Sequence, residues 1–235
     1  MTMMKKHTVL YSIIILLLFF CFPEVIISSS TSYYFRTLGI NDGLSQSTVN
    51  AILQDQKGFM WIGTKDGLNQ YDGQECRVFQ KENSSLGNNF ITALYEDCEG
   101  YIWVGTDAGV YIYNPVQEAF QFLDTEIASS GEKITRAVTW ITSDSQNNIW
   151  ISVDNQGLFC YNRGKKNLTK VVSCGKSGIA NVTHFWFYAG QLWIARYEDN
   201  LYVSKDNSSF NAFNDVDGED IFKGLVINSY VEGLH

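Results

Sequence analysis

Val49-Asn-Ala-Ile-Leu-Gln-Asp-Gln-Lys-Gly-Phe-Met-Trp-Ile-Gly-Thr64 is answered forty-two residues later by Ile91-Thr-Ala-Leu-Tyr-Glu-Asp-Cys-Glu-Gly-Tyr-Ile-Trp-Val-Gly-Thr106. Two looser copies follow, VTWITSDSQNNIWISV over 138–153 and VTHFWFYAGQLWIAR over 182–196. Their tryptophans, Trp61, Trp103, Trp150 and Trp193, stand 42, 47 and 43 residues apart. A repeat of about 40–45 residues is the length of one β-propeller blade. Each copy reads as short strands joined by turns: residues 49–53 are apolar and β-branched, Asp55-Gln56-Lys57-Gly58 is a turn, and 59–64 form a second strand. After Lys65-Asp66-Gly67 come a third strand at 68–71, the hairpin signal Asp72-Gly73 and a fourth strand at 76–79. The second copy runs through the same sequence to 120–122. The spacing therefore predicts an all-β fold of four-stranded antiparallel propeller blades, with inner strands starting near 49, 91, 138, 182 and 226: about four complete blades and the start of a fifth.

The recurring residues have structural work to do. A small sheet with two apolar faces is satisfied only between neighbours, and Trp is the largest filler, burying roughly 150–250 Å². Gly63 and Gly105 beside it leave room for close backbone approach. Gly58, Gly67, Gly100, Gly109 and Gly157 sit where turns call for positive φ. None of these positions is evidence of chemistry.

Composition agrees. Aromatics are 14%, glycines number 19 and prolines 2, a mixture suited to strands and tight turns. The net charge of −8, with no basic cluster beyond the N-terminus, excludes a nucleic-acid partner. The first thirty residues differ in kind: Lys5, Lys6 and His7, an apolar run of about 14 residues, then Pro23 and Ser28-Ser29-Ser30. Basic, greasy and small in that order is a secretory signal peptide over 1–30, so the mature region, 31–235, is expected in the periplasm. A retained anchor helix is the alternative, and membrane contact would then come through this segment alone. Cys76, Cys98, Cys160 and Cys174 lie in the exported region without paired spacing, so no bridge is assigned. His7, His184 and His235 form no ligand set, and neither metal nor cofactor is expected.

The consensus GLSxxxVxxIxxDxxGxxWIGTxxGLxxYD, opened by Gly43-Leu44-Ser45, resembles the two-component regulator propeller repeat, most closely over 41–114. Ser152 and Ala195 depart from it at the glycine after Trp-Ile, and Tyr188 at the turn Asp. The resemblance implies the periplasmic sensor region of Bacteroides-type hybrid histidine kinases, detecting polysaccharide fragments. Phosphotransfer is not implied for this chain, in which no kinase motif is visible, so it is read as not an enzyme. A stand-alone periplasmic binding or interaction propeller is the competing reading. A glycosidase propeller is remoter, because the spacing Asp55-Gly58-Trp61 is one residue longer than the sialidase Asp-box and no paired carboxylates are evident.

Two positions stand out as ligand-contact candidates. Trp140 replaces Ala51 and Ala93 on the inner strand, and Trp186 replaces Leu53 and Tyr95. Flat rings near a propeller axis suit sugar stacking, although packing between blades would equally use them. Residues 226–234 fit the start of a fifth inner strand without the Trp that should follow, and residues 34–38 resemble an outer strand. The expectation is an incomplete ring, truncated at the C-terminus, with an exposed blade face that favours self-association or a missing sensor portion as partner.

Overall fold

The computed structural model describes residues 34–127, 130–173, 182–196, 201–204 and 211–212. The signal segment, Cys174 and the fifth strand expected at Val226 lie outside the described residues. The chain divides into two compact units after Thr37; residues 34–37 of the first unit are exposed and form no strand. The second unit holds one short 3₁₀ turn, Ile40–Asp42, and sixteen strands among its described residues.

The strands form four antiparallel sheets in sequence order. Blade 1 is β1 (Val49–Gln54), β2 (Met60–Thr64), β3 (Gly67–Tyr71) and β4 (Cys76–Phe79). Blade 2 is β5 (Ile91–Glu96), β6 (Ile102–Thr106), β7 (Gly109–Asn114) and β8 (Ala119–Phe122). Blade 3 is β9 (Val138–Ser143), β10 (Ile149–Val153), β11 (Gly157–Asn162) and β12 (Asn167–Ser173). Blade 4 is β13 (Val182–Tyr188), β14 (Gln191–Arg196), β15 (Leu201–Ser204) and β16 (Asn211–Ala212). Inner strands pack in series, β1 beside β5, β5 beside β9 and β9 beside β13. The strands predicted in blades 1 and 2 and the inner strands predicted at 138 and 182 are present, with boundaries moved by no more than a residue, whereas residues 34–38, which resemble an outer strand in sequence, form none.

The core is a stack of clusters, one per blade interface. Trp61, Phe79, Tyr113 and Phe120 meet between blades 1 and 2, with Trp61 and Tyr113 ring centroids 5.0 Å apart. Trp103 packs with Tyr161 between blades 2 and 3, and Trp150 with Phe187 between blades 3 and 4. Trp61, Trp103 and Trp150 thus each fill the interface with the blade that follows.

Gly63 and Gly105 have a more specific role than backbone approach. A Cβ on Gly63 would lie 2.5 Å from Cγ2 of Ile91, and one on Gly105 2.8 Å from Cγ1 of Val138. The space is taken by the first side chain of the next inner strand. In blade 3 the same slot holds Ser152, whose hydroxyl donates to the Val182 carbonyl at 3.0 Å. The knob can reach backwards because the ladder shifts register after it, between Ile91 and Ala93 and likewise between Val182 and His184. Such a bulge breaks the period of two, so Ile91 joins the cluster with blade 1 while Ala93 joins the cluster with blade 3.

The turn aspartate is a tie rather than a generic turn residue. Asp55 Oδ1 accepts from the backbone N–H of Lys57 and Phe59, and its Oδ2 accepts from Trp61 Nε1 at 2.8 Å. Asp97 does the same for Glu99, Tyr101 and Trp103, and Asp144 for Gln146, Asn148 and Trp150. Asn147 takes the left-handed position of Gly58 and Gly100 with φ 60°. Blade 4 lacks the aspartate because its turn is one residue shorter: Ala189 (φ 49°) and Gly190 (φ 72°) make a two-residue connection, left-handed at both positions, after Tyr188. The Gly43-Leu44-Ser45 opener also has a physical basis: Leu44 is buried, and Ser45 N–H donates to Asn69 Oδ1 at 2.8 Å while Asn69 Nδ2 donates to the Ile62 carbonyl.

Candidate functional site

Both aromatic candidates border one cavity of about 310 Å³ at the inner strands of blades 3 and 4, with Thr142, Ser143 and His184. Trp140 is the third residue of β9 and keeps 40% of its surface exposed, unusual for so large a ring. His184 is its equivalent on β13, and the two ring centroids are 5.0 Å apart at a 57° tilt. Burial pushes the His184 imidazole below its ordinary pKa, and its Nδ1 has no hydrogen-bond partner among the described residues. The ring beside Trp140 is therefore neutral near pH 7. Trp186 is less available, because its ring lies nearly parallel to Trp193 at 6.3 Å. The arrangement offers one exposed indole face, hydroxyls and no formal charge.

Wedge-shaped clefts open between blades at the turn end. Between blades 1 and 2 the cavity is about 600 Å³, with Trp61, Tyr113 and Ile102 along it and Asp72, Glu75, Glu96 and Glu118 around it. Between blades 2 and 3 it is about 350 Å³, and Arg163 reaches into it from blade 3. Burial, and after it the charges of Asp55 and Asp97, hold the Glu96 carboxyl above its usual range against the opposing bond from Gln56 N–H. Sequence reading missed these clefts, whose residues are scattered over several strands of two blades and whose only signal was the turn Asp already assigned to the fold.

The repeat tryptophans Trp61, Trp103 and Trp150 are buried at blade interfaces, Trp193 is half-buried, and Gly58, Gly67, Gly100, Gly109 and Gly157 all have positive φ. Cys76, Cys98 and Cys160 are free thiols; burial, then Asp144, pushes Cys160 up to about 12, which leaves it unreactive. No group of three metal-ligating side chains exists among the described residues, and none of their helices is long and apolar enough to cross a membrane.

Residues 43–66 and 85–108 match the two-component regulator propeller family. Over 50 residues, 21% of this chain and 4% of the relative, the sequence is 42% identical to histidine kinase P4 of Formosa agariphila. The extracellular domain assigned to a hybrid two component system of B. thetaiotaomicron superposes with a TM-score of 0.66 at 27% identity, over 78% of this chain and 27% of that domain. A second extracellular domain from the same organism, assigned to a one component system, gives 0.62 at 19% identity over 77% and 24%, a likeness of fold alone. This chain thus spans about a quarter of the solved domains it matches. The two-component regulator propeller match thus falls in its first two blades, and its fold is that of the extracellular domain of such a two component system.

Proposed function

We propose that this chain is part of an extracytoplasmic ligand-sensing propeller of a two-component signalling protein, and that its ligand is a neutral oligosaccharide seated on Trp140. The observation that carries the reading is the 40% exposure of Trp140 at the inner strand, beside a cavity of about 310 Å³ with hydroxyl groups and a neutral imidazole. A flat indole matches the apolar face of a pyranose ring, and the hydroxyls of Thr142 and Ser143 match its polar rim. The net charge of −8 favours neutral sugars over anionic ones. Residues 1–30 direct export to the periplasm, and the chain binds without catalysing; transmission needs a coupled output element, supplied by further sensor sequence or a partner.

Titration of the purified region from residue 31 with a panel of neutral oligosaccharides, followed by tryptophan fluorescence, tests the site. A saturable change in the wild type that is lost in Trp140→Ala, with an unchanged far-UV spectrum, is the expected result. Equal binding by both proteins removes Trp140 from the site. Autophosphorylation of the purified chain with ATP would overturn the non-catalytic reading.

A further inference from the structure

Because the blades repeat, the clefts between them are equivalent, and one shows what the other accommodates. In the cleft between blades 2 and 3 the chain supplies its own occupant. Arg163, the residue after β11, reaches back to blade 2, where its guanidinium lies 3.3 Å from Asp97 Oδ2 and 2.5 Å from Glu99 Oε2, against the ring of Tyr101 at 5.9 Å. The residue after β7, equivalent in blade 2, is Pro115, which has no reach and no charge. The cleft it borders is the larger, about 600 Å³ against about 350 Å³. Its inner end keeps the tie aspartate, Asp55, has Lys57 at the position of Glu99, and takes its second carboxylate instead from Glu96 of blade 2, which accepts Gln56 N–H at 2.8 Å. Phe59 stands where Tyr101 stands in the other cleft. The basic side chains along it do not replace Arg163: Arg77 is held at the outer end by Glu118 at 2.8 Å, and Lys57 is exposed on the turn. Burial, and after it Asp55 and Asp97, raise the Glu96 carboxyl against the opposing Gln56 N–H bond and Lys57 charge.

We infer that the cleft between blades 1 and 2 receives an arginine side chain from a polypeptide partner, held by Asp55 and Glu96 where the next cleft holds Arg163 by Asp97 and Glu99. A polypeptide is favoured over a small free guanidine because a guanidinium occupies only the inner end, leaving the remaining length out to the Arg77–Glu118 pair for main chain. The surrounding charges are complementary: Asp55, Asp72, Glu75, Glu96 and Glu118 against Lys57 and Arg77. Partly buried carboxylates select a planar, weakly hydrated guanidinium over an ammonium.

The test uses calorimetric titration of the chain with the blocked tripeptide Gly-Arg-Gly, the same peptide with lysine, and methylguanidinium. Expected are saturable binding of the arginine peptide, weaker binding of the other two, and affinity that falls with added salt. Pro115→Arg, which grafts the plug of the neighbouring cleft, is expected to abolish binding, and Glu96→Gln to weaken it by about two- to fivefold, the range of a solvent-screened ion pair. Circular dichroism of both variants checks that the blades remain folded. No binding to the wild type, or undiminished binding to folded Pro115→Arg, overturns the inference, and methylguanidinium binding as tightly as the peptide overturns the polypeptide assignment.

Discussion

At Asp97 one buried carboxylate holds three donors at once: two backbone N–H groups across a turn and the indole N–H of the Trp that fills the next interface, at 2.7 Å. Removing it strands all three, so Asp97→Ala is expected to destabilise by about 3 kcal/mol in urea unfolding, while exposed Asp107→Ala changes little. Asp144 carries the same logic into pH dependence. Burial alone would raise its carboxyl, but the bonds from Trp150 Nε1, Asn148 Nδ2 and two backbone N–H groups outweigh burial and hold it below its usual range. A depressed folded-state pKa contributes stability that is present above the unfolded value, about 4, and is lost as the pH falls through the folded one. Stability is expected to decline in acid below about pH 4, less steeply in Asp144→Asn. Among the readings made from sequence, these aspartates were recognised only as turn residues, because spacing shows that Asp55, Asp97 and Asp144 precede Trp by six positions but not that the side chain turns back to meet it.

The strands themselves were legible because alternation, Gly-ended turns and the Trp-Ile-Gly-Thr segment all agree in blades 1 and 2. What period-two reasoning could not reveal is the bulge that sends Ile91 and Ala93 to opposite interfaces, since a register shift leaves no mark on composition. Nor does the shortened blade 4 turn read as anything but a lost Asp until its backbone is seen. Ala189 occupies a left-handed conformation that costs a residue with a Cβ about 1 kcal/mol. Ala189→Gly is therefore expected to raise Tm by about 2–4 °C in thermal unfolding. The axial cavity was half legible: Trp140 and Trp186 were named separately, and the fold brings them to one cavity beside His184, a residue that looked isolated along the chain.

Across the whole molecule, equivalent positions do not share one environment. The fourth residue of the inner strand is Ile141 in blade 3 and Phe185 in blade 4, both buried, yet Ile52 in blade 1 is 62% exposed. Val49 is 39% exposed where Ile91 and Val138 are fully buried. The leading face of blade 1 thus has the side chains of a blade interface without the burial. Ile141→Asn is expected to cost about 3 kcal/mol or more, and Ile52→Asn less than about 0.5 kcal/mol, by chemical denaturation of the two variants side by side. A large cost at Ile52 would mean that this face is covered in solution.

The knob-and-slot contacts carry a consequence for how the chain acquires its structure. Ile91 meets Gly63, Val138 meets Gly105, and Val182 meets Ser152, each pair only about thirty positions apart along the chain. Each of the three described blade interfaces is therefore closed by residues that are near neighbours in order of synthesis. An emerging polypeptide can dock each sheet onto its predecessor as soon as the next inner strand has emerged, without waiting for distant sequence. Assembly can proceed blade by blade, its rate set by local loop closure rather than by the length of the array.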